Sequence, residues 1–236
     1  MKISKKEYKQ RVNATQAQLK RHKVEALIVS GEEDIYYLTG LTFKSLERLF
    51  LLVIKENEII FIVPKMELSH LKHLDNVTSI KHYWEYPAQK PERWEDVLFE
   101  ALGKSSSIGV ASKSPFEIAE FLSSENFKVQ KCEIVEQLRW IKSETEIELI
   151  KRAARYCDDT ISSLNKNVYY GMTELEVFSI GRTIQQRLIK ETDFDYVASD
   201  VLVAAWPSRI SHQPHGIPKV SDVLIEGSHI SLAFLR

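Results

Sequence analysis

Two histidines in a short loop bounded by prolines are the residues of the second half that are best suited to chemistry. The segment is Ser211-His-Gln-Pro-His-Gly-Ile-Pro218, which places His212 and His215 three residues apart. The unperturbed pKa of histidine lies closest to neutrality, so either side chain could transfer a proton or bind a leaving group. Loop histidines are also frequent surface residues and local hydrogen-bond donors, and their spacing alone does not separate these interpretations.

A pair of histidines is also a common element of metal sites. No Asp, Glu or Cys accompanies this pair at a ligand spacing, and Asp222 and Glu226 are better explained as solvated turn residues. The two cysteines, Cys132 and Cys157, have no CxxC partner, so buried, reduced thiols are expected. The residues themselves therefore predict no metal site.

One arginine of the first half is a candidate for binding an anionic group. Arg48 stands directly before the apolar run Leu49-Phe-Leu-Leu-Val-Ile54, and its guanidinium could bind a carboxylate or form an ordinary surface ion pair. Upstream, Asp34-Ile-Tyr-Tyr-Leu-Thr-Gly40 is predicted to be a strand end and a loop in which Gly40 permits a backbone bend. The run Glu32-Glu33-Asp34 is predicted to be a solvated turn.

The elements that must position these residues alternate between helix and strand in the first part of the chain. Helices are predicted from Ser4 to about Lys23, near 66–74, over 92–102 and over 115–123, and strands over 24–30, 107–111 and near 127–130. Two apolar runs, 49–54 and 58–63, are joined by Lys-Glu-Asn and predict a hairpin in the middle of a sheet. This pattern predicts an α/β domain with a mixed sheet over residues 1–133.

The pattern changes near Glu133, where strands give way to long amphipathic helices. A linker is predicted over 134–145, and a second domain over 146–236. Capping boxes at Ser143-x-x-Glu146 and Thr173-x-x-Glu176 predict the starts of two helices. A domain of this size, with little sheet to cover both apolar stripes, is expected to need more chain or a partner subunit.

Composition excludes several classes of function. The chain has 236 residues, 44% of them apolar, and a formal net charge of −1 that arises from 32 basic and 33 acidic residues. This balance gives no electrostatic reason to expect nucleic acid or a membrane as partner. The first residues are too polar for a secretory signal, and no apolar run approaches the about 18 residues of a spanning helix. A cytoplasmic protein is expected.

Several segments, taken in order, resemble a known family. They are Ala26-Leu-Ile-Val-Ser30, Ile35-Tyr-Tyr-Leu-Thr-Gly40, Arg48, Leu138-Arg-Trp-Ile-Lys-Ser143-Glu-Thr-Glu-Ile147, Tyr170-Gly-Met-Thr-Glu-Leu-Glu-Val177, Phe194-Asp-Tyr-Val-Ala198 and Pro214-His-Gly-Ile-Pro218. Their order and spacing resemble the creatinase/prolidase family, which includes Xaa-Pro dipeptidases, aminopeptidase P and creatinase. The resemblance covers essentially the whole chain. It implies an RNase H-like N-terminal domain followed by the beginning of a pita-bread (α+β) catalytic domain.

The resemblance also implies roles for the candidate residues. His215 matches the family histidine beside the scissile bond, which helps to stabilise the transition state in the peptidases and acts as acid and base in creatinase. His212 assists it, or takes its place if the loop alignment shifts by three residues. Arg48 matches the position from which the N-terminal domain of creatinase helps to hold a substrate carboxylate across a dimer, although many relatives have an arginine there without that role. A homodimer acting on a small peptide or another small C–N substrate is implied.

Departures from the family concern the metal site. Family peptidases use two divalent metals, typically Mn, Co or Zn, and their first aspartate ligand stands six residues after a Gly-Asp turn. In this sequence the turn is Gly227-Ser228 and the sixth residue is Ala233, while the other four ligands would lie beyond Arg236. Such a hydrolase needs oxygen and imidazole ligands to generate hydroxide near neutral pH. The chain is therefore expected to hold no metal, to stop within the catalytic domain and to be inactive or incomplete as a metallopeptidase.

Three hypotheses follow from the resemblance. The chain represents a C–N bond hydrolase of the Xaa-Pro peptidase type, or it comes from the metal-independent branch with creatinase-like amidinohydrolase chemistry, to which His229-Ile-Ser-Leu232 is similar. The third hypothesis is a non-catalytic remnant that retains dimerisation or recognition surfaces.

Overall fold

The computed structural model describes residues 2–71, 74–192, 201–207, 212, 217, 219–226 and 229–235. The chain forms two compact units, Met1–Ser143 and Glu144–Arg236.

The first unit alternates helices and strands, as the sequence predicts. Its elements are α1 (Lys5–Arg21), β1 (Ala26–Val29), α2 (Glu32–Thr39), β2 (Leu51–Lys55), β3 (Ile59–Pro64), a 3₁₀ helix (Lys65–His70), β4 (Ser79–Tyr83), α3 (Trp94–Leu102), β5 (Ser107–Ala111), α4 (Phe116–Ser124), β6 (Lys128–Cys132) and α5 (Ile134–Trp140). The predicted linker over 134–145 thus contains α5, whose Ile134 and Val135 are buried in the core of this unit. Along the chain, the boundary between the two units falls after Ser143.

One six-stranded mixed sheet organises the first unit, in the order β4-β3-β2-β1-β5-β6. Strand β2 is antiparallel to both β1 and β3, which confirms the predicted hairpin, and the other neighbouring strands are parallel. Both faces of the sheet are covered: Leu27 and Val29 of β1 belong to one core cluster, and Ala26 and Ile28 to the other. Burial on two faces explains why the central strands are continuously apolar rather than alternating.

The segment from Glu32 to Gly40 differs from its prediction. It is helix α2 rather than a strand end and a loop, and Gly40 ends it in the left-handed conformation with φ +75°. The acidic first turn complements the helix dipole, and Ile35 and Leu38, three residues apart, are both fully buried on one face. Packing of that face overrides the β propensity of the Tyr-Tyr-Leu-Thr stretch. The solvated turn was also a wrong prediction, because Asp34 is 0% exposed.

The second unit contains two long helices and a hairpin. They are α6 (Glu144–Asn167), α7 (Glu174–Glu191), β7 (Val201–Pro207) and β8 (His229–Leu235), with β7 and β8 antiparallel. Helices α6 and α7 begin directly after Ser143 and Thr173, as the capping boxes predict. Leu164, Val177, Leu188 and Val203 are buried in its core.

The apolar stripe of α6 is only partly covered within the described residues. Leu164 is fully buried near the end of the helix, whereas Ile147 and Ile150 near its start are 42% and 55% exposed. The two thiols are free. Cys132 is buried, as predicted, and Cys157 is only partly buried.

Candidate functional site

The histidine loop is described only in part. His212 lies in a turn and is exposed, whereas His215 lies outside the described residues, as does the segment Phe194-Asp-Tyr-Val-Ala198 that resembles the family. The roles predicted for both histidines therefore stay predictions.

The position that the resemblance assigns to a metal ligand lies in a regular strand. Ala233 belongs to β8 and is paired with Val203 of β7. An alanine side chain has no donor atom for a metal. No group of three or more His, Cys, Asp or Glu side chains that could hold a metal ion occurs among the residues that the structure describes. The described residues thus do not supply the ligand set of a two-metal site.

Arg48 is the predicted site residue whose surroundings are described, and its guanidinium has an internal partner. Its Nε donates a hydrogen bond to Glu85 Oε1, and its Nη2 lies 3.7 Å from Glu47 Oε1. The hydrogen bond to Glu85 raises the pKa of the arginine further above its ordinary value. Because the side chain is 27% exposed, the guanidinium is accessible but already paired with a carboxylate. An anionic ligand would have to compete with Glu85 for it.

Arg48 opens onto a pocket of about 910 Å³ in the first unit. This volume lies in the range of about 300–1,000 Å³ that is typical of small-molecule sites. The pocket is lined by Glu47, Arg48, Leu49, Lys65, Met66, Tyr83, Trp84, Glu85, Tyr86, Ala88, Arg93, Trp94, Glu95 and Glu117. Four aromatic rings and seven charged side chains therefore share one concave surface.

The topology of the sheet explains why these residues meet. Strands β3 and β4 are parallel, and their last residues, Pro64 and Tyr83, are paired. The residues that follow them, Lys65 and Trp84, consequently leave the sheet at the same edge. The segment that leads into antiparallel β2 carries Arg48 to that edge as well. Crevices at the carboxyl ends of parallel strands are the usual ligand sites of open α/β sheets.

Tyr83 lines the pocket and is hydrogen-bonded to the backbone of Leu49. Its hydroxyl accepts a hydrogen bond from the Leu49 backbone N–H and donates one to the Leu49 carbonyl, each at 3.1 Å. Burial raises the pKa of Tyr83 to about 12. The buried phenol thus holds the end of β4 against the residue that follows Arg48, and it stays protonated throughout the physiological range.

The aromatic walls carry further contacts. The Lys65 ammonium lies 5.8 Å from the centre of the Trp84 ring, and its Nζ lies 3.3 Å from His82 Nε2. Trp84 is 49% exposed. On another side of the pocket, Trp94 makes an edge-to-face contact with Phe121, with ring centres 5.4 Å apart.

No sequence motif groups Lys65, Trp84, Glu85 and Trp94 with Arg48. They are separated from it along the chain and follow different strands or begin a helix. One clue was present for Lys65. Because Pro64 ends an apolar run, the polar residue directly after it is expected at the edge of the sheet.

A second polar cluster joins α2 to α5. Arg139 donates a hydrogen bond to Asp34 Oδ1, and Ser112 donates one to Glu136 Oε1. Among the described residues, no hydrogen-bond partner reaches Asp34 Oδ2 or Glu136 Oε2, which are both buried. Burial raises the pKa of Asp34 although Arg139 opposes the shift. This cluster includes the arginine of the Leu138-Arg-Trp-Ile-Lys segment.

Comparisons with known proteins agree with this architecture. The Creatinase/Prolidase N-terminal domain family matches residues 11–141. An Xaa-Pro dipeptidase of Pyrococcus horikoshii is 25% identical over 209 residues, which cover 87% of this chain and 54% of that protein. The chain therefore spans about half the length of this relative.

Solved structures extend the likeness to both units. An Xaa-Pro dipeptidase from Bacillus anthracis superposes with a TM-score of 0.71 at 15% identity and covers 96% of this chain and 64% of its own. Dipeptidase PepE from Mycobacterium ulcerans superposes with a TM-score of 0.72 at 20% identity, and the match covers 99% of this chain and 61% of PepE. At these identities the likeness concerns the fold.

The fold and the matched family together define the class. The chain belongs to the creatinase/prolidase family, and its fold is a creatinase-type N-terminal domain followed by the beginning of a pita-bread domain. None of the described helices is long and apolar enough to span a membrane.

Proposed function

We propose that this chain carries the recognition domain and the first part of the catalytic domain of a peptidase that acts on Xaa-Pro peptides. The match of residues 11–141 to the Creatinase/Prolidase N-terminal domain carries this proposal. The relation to an Xaa-Pro dipeptidase over 87% of the chain supports the choice of substrate class. A cytoplasmic homodimer is part of the same proposal.

Within this function, Arg48 binds the free carboxylate of the peptide. Its planar guanidinium suits a bidentate carboxylate contact, and its 27% exposure leaves it accessible. Glu85 holds the guanidinium in place when no substrate is bound, and a substrate carboxylate replaces it. His215, or His212 if the alignment shifts, donates a hydrogen bond to the oxygen that becomes negatively charged at the scissile bond.

We further propose that the 236 residues by themselves do not hydrolyse peptides. Ala233 offers no ligand atom, and the described residues contain no group of three or more suitable side chains. Generation of hydroxide by a bound metal requires such a group. No step through a metal is therefore assigned to this chain.

A chimera tests the peptidase proposal. The chain would be fused to the remaining catalytic segment of the Pyrococcus horikoshii relative, with either Ala or Asp at position 233, and Ala-Pro hydrolysis would be measured with and without Mn²⁺. We expect activity only with Ala233→Asp and Mn²⁺, and a large loss with His215→Ala but not with His212→Ala. Full activity with alanine at 233 would show that this position is not a ligand position.

The unfused chain tests the two alternatives. Its hydrolysis of Ala-Pro and of creatine would be followed with and without Mn²⁺, and we expect none. Hydrolysis that depends on His215 and ignores Mn²⁺ would instead establish the metal-independent branch. Loss of activity in every chimera, with the fold intact, would favour a non-catalytic recognition protein.

A further inference from the structure

Three buried oxygen atoms of the first unit share one edge of the sheet. They are Asp34 Oδ2, Ser114 Oγ and Glu136 Oε2, and no hydrogen bond from the described residues reaches any of them. Asp34 follows β1, Ser114 follows β5 and Glu136 follows β6, each within five residues of the end of its strand. Because β5 is parallel to both β1 and β6, these strands end at the same edge, where ligands of open α/β sheets usually bind.

Hydrogen bonds join the three segments that carry these oxygens. Arg139 of α5 donates a hydrogen bond to Asp34 Oδ1, and Glu136 lies three residues before Arg139 on the same helix. Ser112, in the loop after β5, donates a hydrogen bond to Glu136 Oε1. Glu136 is also close enough to Asp34 for its charge to raise the pKa of that carboxyl. Each carboxylate thus has one hydrogen-bonded oxygen and one oxygen that nothing in the described part of the chain satisfies.

Gly31 leaves space beside the second oxygen of Asp34. A Cβ at position 31 would lie 3.5 Å from Asp34 Oδ2 and 3.4 Å from Lys113 Cβ. Asp34 Oδ2 is therefore directed toward the loop of residues 112–114, which carries Ser114 and the hydroxyl that binds Glu136. Asp34 is 0% exposed, so bulk solvent does not reach this carboxylate.

The charges of this cluster do not balance. Asp34 and Glu136 carry two negative charges, and Arg139 carries one positive charge. Lys113 also faces Asp34 and lowers its pKa, but the Lys113 ammonium lies 3.4 Å from the Glu33 carboxylate on the surface. One negative charge remains, and buried charges in proteins are paired or coordinate a metal ion. A single positive charge would neutralise the cluster.

We propose that a monovalent alkali cation, Na⁺ or K⁺, binds to Asp34 Oδ2, Glu136 Oε2 and Ser114 Oγ. All three are oxygen atoms, which are the ligands that hard cations prefer. A divalent ion would leave the cluster with an excess positive charge. The bound cation joins α2, the loop after β5 and α5, so it stabilises the first unit and takes no part in the chemistry of the second.

Unfolding of the 236-residue chain tests the site without any substrate, so the result does not depend on peptidase activity. Urea unfolding would be followed in increasing NaCl or KCl, with tetramethylammonium chloride added to keep the ionic strength constant. A cation that binds only the folded state raises the ratio of folded to unfolded protein. We expect about a tenfold rise at about 0.15 M, which corresponds to a Kd on the order of 15 mM. Amide hydrogen exchange should show the added protection in α2 and α5.

Variants assign this rise to the proposed ligands. Glu136→Gln removes one negative charge and Ser114→Ala removes the hydroxyl, and each should reduce the rise to about twofold or less. Ser114→Ala changes no charge, so it tests the site independently of any effect of Glu136→Gln on folding. Glu133→Gln makes the same change of charge three residues away and is the matched control. Because Glu133 pairs with Lys131 on the surface, this variant should keep the full rise.

Three results would overturn the proposal. Equal stability in Na⁺, K⁺ and tetramethylammonium chloride would indicate that a proton or a water molecule, rather than a cation, satisfies Asp34. A rise that persists in both Glu136→Gln and Ser114→Ala would place the cation elsewhere. A rise with Mg²⁺ or Ca²⁺ but not with Na⁺ or K⁺ would contradict the assignment of a monovalent ion.

Discussion

Arg139 in α5 donates a hydrogen bond to Asp34 in the first turn of α2, across 105 residues of sequence. Asp34 is 0% exposed, and Arg139 is 33% exposed. The pair ties the last helix of the first unit to the helix that follows β1. It also gives a buried carboxylate the positive partner that such a group requires.

Replacement of this arginine should be strongly destabilising. Arg139→Gln leaves the Asp34 carboxylate buried without its cation, which typically costs about 3–5 kcal/mol. Urea unfolding followed by circular dichroism would measure the loss. Lys113→Gln, which removes an exposed ion pair with Glu33, is the control and should change stability little. Equal free energies of unfolding for Arg139→Gln and the parent would show that the Arg139–Asp34 pair does not stabilise the fold.

The same pair predicts a dependence on pH. Because burial raises the pKa of Asp34, its contribution to stability is complete below the unfolded value of about 3.9 and is lost as pH rises through the folded pKa. Arg139→Gln removes the opposing charge and moves the folded pKa higher. Glu136, which raises the pKa of Asp34, and Lys113, which lowers it, are unchanged in this variant.

The deficit of Arg139→Gln should therefore be larger at pH 7.5 than at pH 5. Unfolding free energies measured across this range would test the prediction. Asp34→Asn combined with Arg139→Gln should abolish the additional pH dependence, because no titratable carboxyl then remains at position 34. A deficit that is constant with pH would contradict the assignment.

Gly40 should not tolerate a side chain. It has φ +75°, and a Cβ at this position would lie 2.7 Å from Tyr8 Cζ. Gly40→Ala should cost about 1–2 kcal/mol for the left-handed backbone, and more for the contact with the ring. In a Tyr8→Ala background the contact is absent, so the same change should cost only the backbone part. Additive losses in the double variant would contradict this explanation.

Tyr83 should contribute to stability through its hydroxyl. Tyr83→Phe leaves the backbone N–H and carbonyl of Leu49 without these partners in a buried position, at a cost of about 1–3 kcal/mol near neutral pH. Thermal or urea unfolding would measure it. Tyr86→Phe is the matched control, since the Tyr86 side chain is 99% exposed.

The phenol also predicts a loss of stability in alkali. Its pKa is raised to about 12, so its contribution is complete below the unfolded value of about 10 and is lost as pH rises through about 12. Tyr8, whose pKa is also raised, makes a similar contribution. Unfolding measured from pH 9 to 12 should therefore show a weaker pH dependence in Tyr83→Phe than in the parent. An unchanged slope would count against a buried, protonated phenol.

The capping box of α7 should stabilise the second unit. The Thr173 hydroxyl accepts a hydrogen bond from the Glu176 N–H, and the Glu176 carboxylate accepts one from the Thr173 N–H at 2.8 Å. Thr173→Ala should cost about 1 kcal/mol and increase amide hydrogen exchange in the first turn of α7. Ser179→Ala, inside the same helix, should cost nothing or stabilise slightly, because alanine is the better helix former. Equal effects of the two substitutions would contradict a capping role for Thr173.

Local chemistry along the chain was sufficient to predict much of the fold. The β2–β3 hairpin follows from two apolar runs and a polar turn, and the starts of α6 and α7 follow from capping boxes. The central strands of the first sheet are apolar on both faces because both faces are buried, so the length of each apolar run indicated the length of the strand. These features depend on neighbours in sequence, which is why the sequence predicted them.

Only the tertiary structure decided which residues share a site and which charges are buried. From the sequence, Asp34 was predicted to lie in a solvated acidic turn. In the structure it is buried in α2 and accepts a hydrogen bond from Arg139. Lys65, Trp84 and Arg48 come together because β3 and β4 are parallel and β2 runs against them. The sequence by itself determined the family, the apolar strands and the helix starts. The pairing of strands determined the pocket, because contacts between residues far apart in sequence depend on strand order and direction rather than on local pattern.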